Sequence, residues 1–116
     1  MYCAMARDCM APVRLLAGDI ESKVREAIDL RIPGAVVERL WVVGSRPLQE
    51  CRPHSDIDVM VKLKPIPGKF ADKLTNDLVH WMADNEMRQV CTDKDHCFTL
   101  DVILTYADPC VPFEEL

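Results

Sequence analysis

From residue 56 to 63 the chain alternates without a break: Ile57, Val59, Val61 and Leu63 are apolar, and Asp56, Asp58, Met60 and Lys62 lie between them. A period of two belongs to a strand with one buried face, so the four apolar side chains share one side and both aspartates the other. The pattern returns at 96–104, where Phe98, Leu100, Val102 and Leu104 share a parity and Thr99, Asp101 and Ile103 take the opposite one. Any fold containing both strands must cover one sheet face with something apolar. If the two strands are neighbours, Asp56, Asp58 and Asp101 converge on the second face.

The remaining segments supply that cover. Over 12–31, Ile20, Val24, Ile28 and Leu30 recur near helical spacing with charged residues between them, and Pro33-Gly34 follows. This predicts an amphipathic helix with a stop signal. Residues 39–43 contain Leu40-Trp41-Val42-Val43, a short apolar run with the composition of a strand, ended by Gly44-Ser45. Residues 46–55 are polar with two prolines and read as a loop. Phe70, Leu74, Leu78, Trp81 and Met82 predict a second amphipathic helix over 70–85. The first two strands are joined by a loop alone, which suits antiparallel pairing. The second and third are joined through a helix, the usual parallel crossover. The expected fold is α+β: a mixed three-stranded sheet with helices packed on one face. The 116 residues fit a single domain, 1–116, with 1–11 read as a loose N-terminal extension and 105–116 as an irregular tail.

Charge narrows the partners. The net charge is −5 and the pI about 5.1, whereas a surface that grips nucleic acid through its phosphates is ordinarily basic. Direct nucleic-acid binding is therefore not expected. The mildly apolar N-terminus is interrupted by Arg7 and Asp8 and reads as neither a signal peptide nor a membrane span. A cytoplasmic, membrane-free setting is expected. The six cysteines, at 3, 9, 51, 91, 97 and 110, are accordingly expected to be reduced. Cys91, His96 and Cys97 are close in sequence, but their spacing fits no zinc pattern.

The acidic face carries the chemistry. Two carboxylates about 4 Å apart repel by roughly 4 kcal/mol at an effective dielectric near 20. A hard divalent cation offsets that repulsion. Mg²⁺ takes one or two carboxylates together with substrate phosphate oxygens, and a pair of such ions suits in-line phosphoryl or nucleotidyl transfer. The alternative is a set of solvated aspartates on a wet sheet face. Gly44-Ser45, at the end of the first strand, would be brought beside Asp56 and Asp58 by antiparallel pairing. Glycine permits close backbone approach to a ligand there.

Val42-Val43-Gly44-Ser45-Arg46, then ten residues, then Asp56-Ile57-Asp58, together with Leu100-Asp101-Val102-Ile103, resembles the signature of the minimal nucleotidyltransferases of the DNA-polymerase-β-like superfamily. The likeness runs over about residues 20–104. It implies the polymerase-β-like nucleotidyltransferase fold. It also implies that Asp56 and Asp58 bridge two Mg²⁺ ions (Mn²⁺ being the alternative ion) and that Asp101 binds the catalytic one and assists proton removal. Gly44, Ser45 and Arg46 would hold the triphosphate, with an ordinary surface arginine as the alternative for Arg46. The family usually has glycine four residues after its serine, and this chain has Gln49 there, with Pro47 at a position often small.

The implied function is transfer of a nucleoside monophosphate, AMP from ATP first among them, to a hydroxyl acceptor with release of pyrophosphate. Minimal members of the family pair with HEPN-type RNase toxins as antitoxins, so the resemblance implies a protein acceptor of that kind. The alternative is the same fold used without catalysis, as a module that covers a partner protein. Trp41, in a strand apolar at both parities, would then face that partner or a second copy of the chain.

Overall fold

The computed structural model describes residues 8–53, 55–65 and 89–116. The helix expected at 70–85, and His54 in the loop before Asp56, lie outside them. Two helices, α1 (Ala11–Leu15) and α2 (Ala17–Arg31), precede five strands, β1 (Val37–Val43), β2 (Ile57–Leu63), β3 (Gln89–Asp93), β4 (His96–Thr105) and β5 (Glu114–Glu115). They form a mixed sheet in the order β3-β4-β2-β1-β5. The architecture is α+β, and the sheet has five strands where three were expected.

The alternation in β2 and β4 does what period two requires. Ile57, Val59, Val61 and Leu63 are buried, as are Phe98, Leu100, Val102 and Leu104, and they join one core with Ile20, Val24, Ala27 and Ile28 of α2. Each of the larger side chains, Ala27 apart, contributes roughly 1.5–3 kcal/mol over its exposed state. The α2 stripe runs i, i+4, i+7, i+8, so Ala27 takes the place that the sequence assigned to Leu30, which is exposed. The expected single helix is broken at Leu16, which stands between α1 and α2. Beyond Ile32 the chain turns at Gly34, whose φ of +86° is readily reached without a Cβ.

The expected pairings hold: β1 is antiparallel to β2 and β2 parallel to β4. The two added strands are edges. β3 forms a hairpin with β4 and buries only Val90, and β5 pairs two residues with β1 at Trp41 and Val42. The 105–116 segment is thus not wholly irregular. It also covers Trp41, which is 2% exposed and meets the Phe113 ring edge-on at 6.0 Å. Its own tail provides cover for the side of β1 that the sequence left open to a partner.

Residues 8–11 are likewise not loose. Cys9 and Met10 are buried, and Cys9 is bonded to Cys51. Cys91 and Cys97, directly opposite across the β3–β4 hairpin, form a second disulfide. Four of the cysteines expected to be reduced are therefore paired, and Cys110 is free and exposed. The pair once weighed as metal ligands beside His96 is one of these bridges. His96 turns instead to Asp93, with Nδ1 at 2.9 Å from both carboxylate oxygens.

Candidate active site

Two registers bring the site together. In the parallel pair, Asp58 of β2 lies directly across from Asp101 of β4. In the antiparallel pair, Val43, the last residue of β1, lies across from Asp58. Gly44 therefore follows immediately beside the Asp58 side chain. A Cβ built on Gly44 would overlap the Asp58 carboxylate and stand 3.2 Å from its Cγ, and Gly44 has φ +82°. Only glycine meets both conditions, since other L-residues at positive φ clash with their own backbone.

Burial pushes the Asp58 carboxyl up to about 6, and the charges of Asp101 and then Asp56 push the same way, followed by a side-chain hydrogen bond with Asp101. The positive charge of Arg46 works against them. A hydrogen bond between two carboxyls requires one of them to hold a proton. At this pair a proton does what a bound cation would also do: it relieves two like charges.

Not every expected residue arrives. Asp58 and Asp101 are adjacent, but Asp56 lies one residue before β2 begins and is exposed. Its charge reaches Asp58, yet among the described residues no three His, Cys, Asp or Glu side chains stand close enough to hold an ion unaided. Ser45 is half-buried in the turn after Gly44, and its carbonyl accepts from the Glu50 N–H at 2.9 Å.

Arg46 is neither a surface arginine nor directed at an open cleft. It is 2% exposed. Its Nη1 donates to the Cys9 carbonyl at 2.9 Å, its Nη2 to the Ser55 carbonyl at 2.5 Å and its Nε to the Asp56 carbonyl at 3.3 Å. The guanidinium carbon stands 5.0 Å from the centre of the Phe98 ring.

Gln49 has φ +59°. The position where the resembled family has glycine therefore keeps the left-handed backbone that glycine favours. The Gln49 side chain also has a use, because its Oε1 accepts from the Cys9 N–H at 2.8 Å. The turn closes with Gln49 N–H on the Arg46 carbonyl at 3.0 Å. Its departure from the family pattern changes the residue without removing the turn.

Sequence reasoning missed Cys9, Cys51 and Gln49 as the ties beneath this loop. The even cysteine count was the one signal that could have pointed to the first two. No protein-family profile, curated protein or solved structure matches the chain. Among the described residues, no helix is long and apolar enough to cross a membrane.

Proposed function

We propose that this chain is a metal-dependent nucleotidyltransferase that moves a nucleoside monophosphate from a nucleoside triphosphate, ATP first among them, to a hydroxyl acceptor. The observation that carries the reading is the double register at Asp58: Asp101 on one side, the Gly44 turn on the other. Mg²⁺ needs one or two carboxylates and completes its shell with phosphate oxygens and water. The Asp58–Asp101 pair therefore fits a site that assembles with its substrate and has no complete cage beforehand. The cradle at Gly44 supports the same reading, because it leaves backbone within reach of whatever the carboxylates hold.

Bound there, Mg²⁺ would lower the repulsion between carboxylates and neutralise charge on the transferred phosphoryl group. The chain's own residues divide the remaining work. Asp58 and Asp101 supply the donor oxygens, and Asp56 adds negative charge at the rim. Asp101 accepts the proton of the attacking hydroxyl. The turn from Gly44 to Ser45 orients the phosphates. The acceptor is a partner protein, a HEPN-type toxin being the class the resemblance implies. The setting belongs to the proposal as well. An ATP donor and an RNase-type partner keep the cytoplasmic setting as the proposed one, and because disulfides persist in oxidising surroundings, reduction of the two bridges is expected there.

Calorimetric titration with ATP, with and without Mg²⁺, tests the reading without needing the acceptor. Mg²⁺-dependent binding is expected, and the Asp56→Asn/Asp58→Asn double variant should lose it by at least about 100-fold. Failure of the wild-type protein to bind any triphosphate would favour the second reading, a non-catalytic module that covers a partner.

A further inference from the structure

We infer that Arg46 is the positioning residue of the carboxylate site: its buried guanidinium sets where Asp56 and Asp58 stand, and it does not contact the phosphates. The inference rests on the nucleotidyl-transfer reading and adds to it the part that holds the site in shape.

The geometry is specific. Nε and Nη2 form one edge of the planar fork, and they grip two consecutive carbonyls, Asp56 and Ser55. Those are the last two peptides before β2 begins at Ile57. Fixing both carbonyls fixes the entry angle of the strand, and with it the Asp56 and Asp58 side chains. Nη1, on the other edge, takes the Cys9 carbonyl and braces the fork against the start of α1. Phe98 lies under the guanidinium and belongs to β4, three residues before Asp101. One side chain therefore touches the segments that carry all three aspartates. Phe98 is on the core-facing parity of β4 and Asp101 on the other. The ring that Arg46 meets is therefore on the core side, while the guanidinium charge still reaches Asp58.

Lysine cannot replace this. Its ammonium is a point donor on a flexible stem and cannot hold two adjacent carbonyls in one plane while stacking on a ring. Burying a cation is costly unless its donors are matched, and three carbonyls match them here. The expense is reasonable where position matters.

The test compares Mn²⁺ affinity, by calorimetry, for the wild-type protein, Arg46→Lys, Arg46→Met and Val61→Ala, first with the metal alone and then with ATP. Val61→Ala truncates the core at the far end of β2 and leaves the fork intact. Tm should fall in all three variants. Mn²⁺ affinity should fall at least about 10-fold in Arg46→Lys, further in Arg46→Met, and stay at the wild-type value in Val61→Ala. A merely structural arginine would lower Tm and leave the metal affinity of the folded protein unchanged. That result in Arg46→Lys would overturn the inference. So would loss of ATP affinity with Mn²⁺ affinity intact, which would make Arg46 a phosphate contact. Should neither arginine variant fold, Arg46→Gln keeps a planar amide donor but cannot grip the Ser55 and Asp56 carbonyls together, and an unchanged Mn²⁺ affinity there would overturn the inference. A wild-type protein that binds neither Mn²⁺ nor ATP overturns the nucleotidyl-transfer reading first, and this inference with it.

Discussion

The face of the sheet that carries the aspartates has two ends, and they treat charge in opposite ways. At one end Asp58 and Asp101 stand side by side, and burial with neighbouring carboxylates lifts Asp58 to about 6. At the other end of the same strand, on the same face, Lys62 lies 2.9 Å from Asp108 and 3.9 Å from Glu38. There the Lys62 ammonium holds the Asp108 carboxyl below its ordinary value. A chain selected only for stability has reason to build the second arrangement and none to build the first. The carboxylate end is held from outside itself, by the Cys9–Cys51 bridge and by Arg46. The Lys62 end holds itself, with a half-buried lysine between two exposed carboxylates. On the proposed reading, the difference separates a region shaped for a ligand from one shaped for the fold.

The largest expected effect comes from filling the space between Gly44 and Asp58. Gly44→Ala meets positive φ and the Asp58 carboxylate together, and should cost about 2–3 kcal/mol in urea unfolding. It should also abolish Mg²⁺-dependent ATP binding. Gly34 makes the natural control, with φ +86° and nothing within 4 Å of an added Cβ. Gly34→Ala should cost only about 1–2 kcal/mol, the backbone share alone. Equal losses at the two glycines would mean that the carboxylate does not press on the turn.

The next effect is smaller and depends on pH. Asp58 in the folded chain binds its proton more tightly than in the unfolded chain, because its value rises from 3.8 to about 6. The stability linked to that proton is full below about pH 4 and is lost as pH rises through about 6. Since Asp58 is only half-buried, screening by water reduces the effect to on the order of 1–2 kcal/mol. Metal-free protein should therefore lose that much between pH 4 and pH 7. Asp58→Asn should remove the slope and be the more stable protein at pH 7, and Mg²⁺ should flatten it as well. Asp108 has the opposite sign, with stability present at neutral pH and lost as pH falls below 4. A wild-type protein whose stability does not fall between pH 4 and 7 would erase the contrast between the two ends.

What could be read ahead of the structure follows this division. Alternation is a local property, so the buried faces of β2 and β4 were legible residue by residue, as was the parity of Asp58 and Asp101. The antiparallel direction of β1 and β2 followed from the loop that joins them, whereas the helix expected between β2 and β4 lies outside the described residues. Asp56 was placed on the strand by extrapolating the period one residue too far, and backbone pairing, which sequence does not display, decides where β2 begins. β3 buries one side chain and β5 spans two residues, so neither had a period to show. Arg46 was the hardest to read. Its partners are the carbonyls of Cys9, Ser55 and Asp56, and a carbonyl carries no residue identity. The disulfides were hidden for a related reason: Cys9 and Cys51 are 42 residues apart, and only the packing of α1 under the loop makes them neighbours.

The smallest effect is expected at Lys62. Lys62→Met keeps the stem that packs on the sheet and removes the ammonium between Asp108 and Glu38. Exposed ion pairs are screened by water and cost side-chain entropy, so Tm should fall by less than about 4 °C. Raising the salt to about 1 M should shrink the difference further, because the screening length drops to about 3 Å. ATP binding at the other end should be unchanged, since Asp58 and Lys62 are four residues apart along an extended strand, roughly 13 Å. A loss of nucleotide affinity in Lys62→Met would join the two ends into one electrostatic unit, with Lys62 reaching the triphosphate across that face. An unchanged affinity with a small, salt-sensitive Tm shift keeps them separate, one end built to be completed by a ligand and the other already complete.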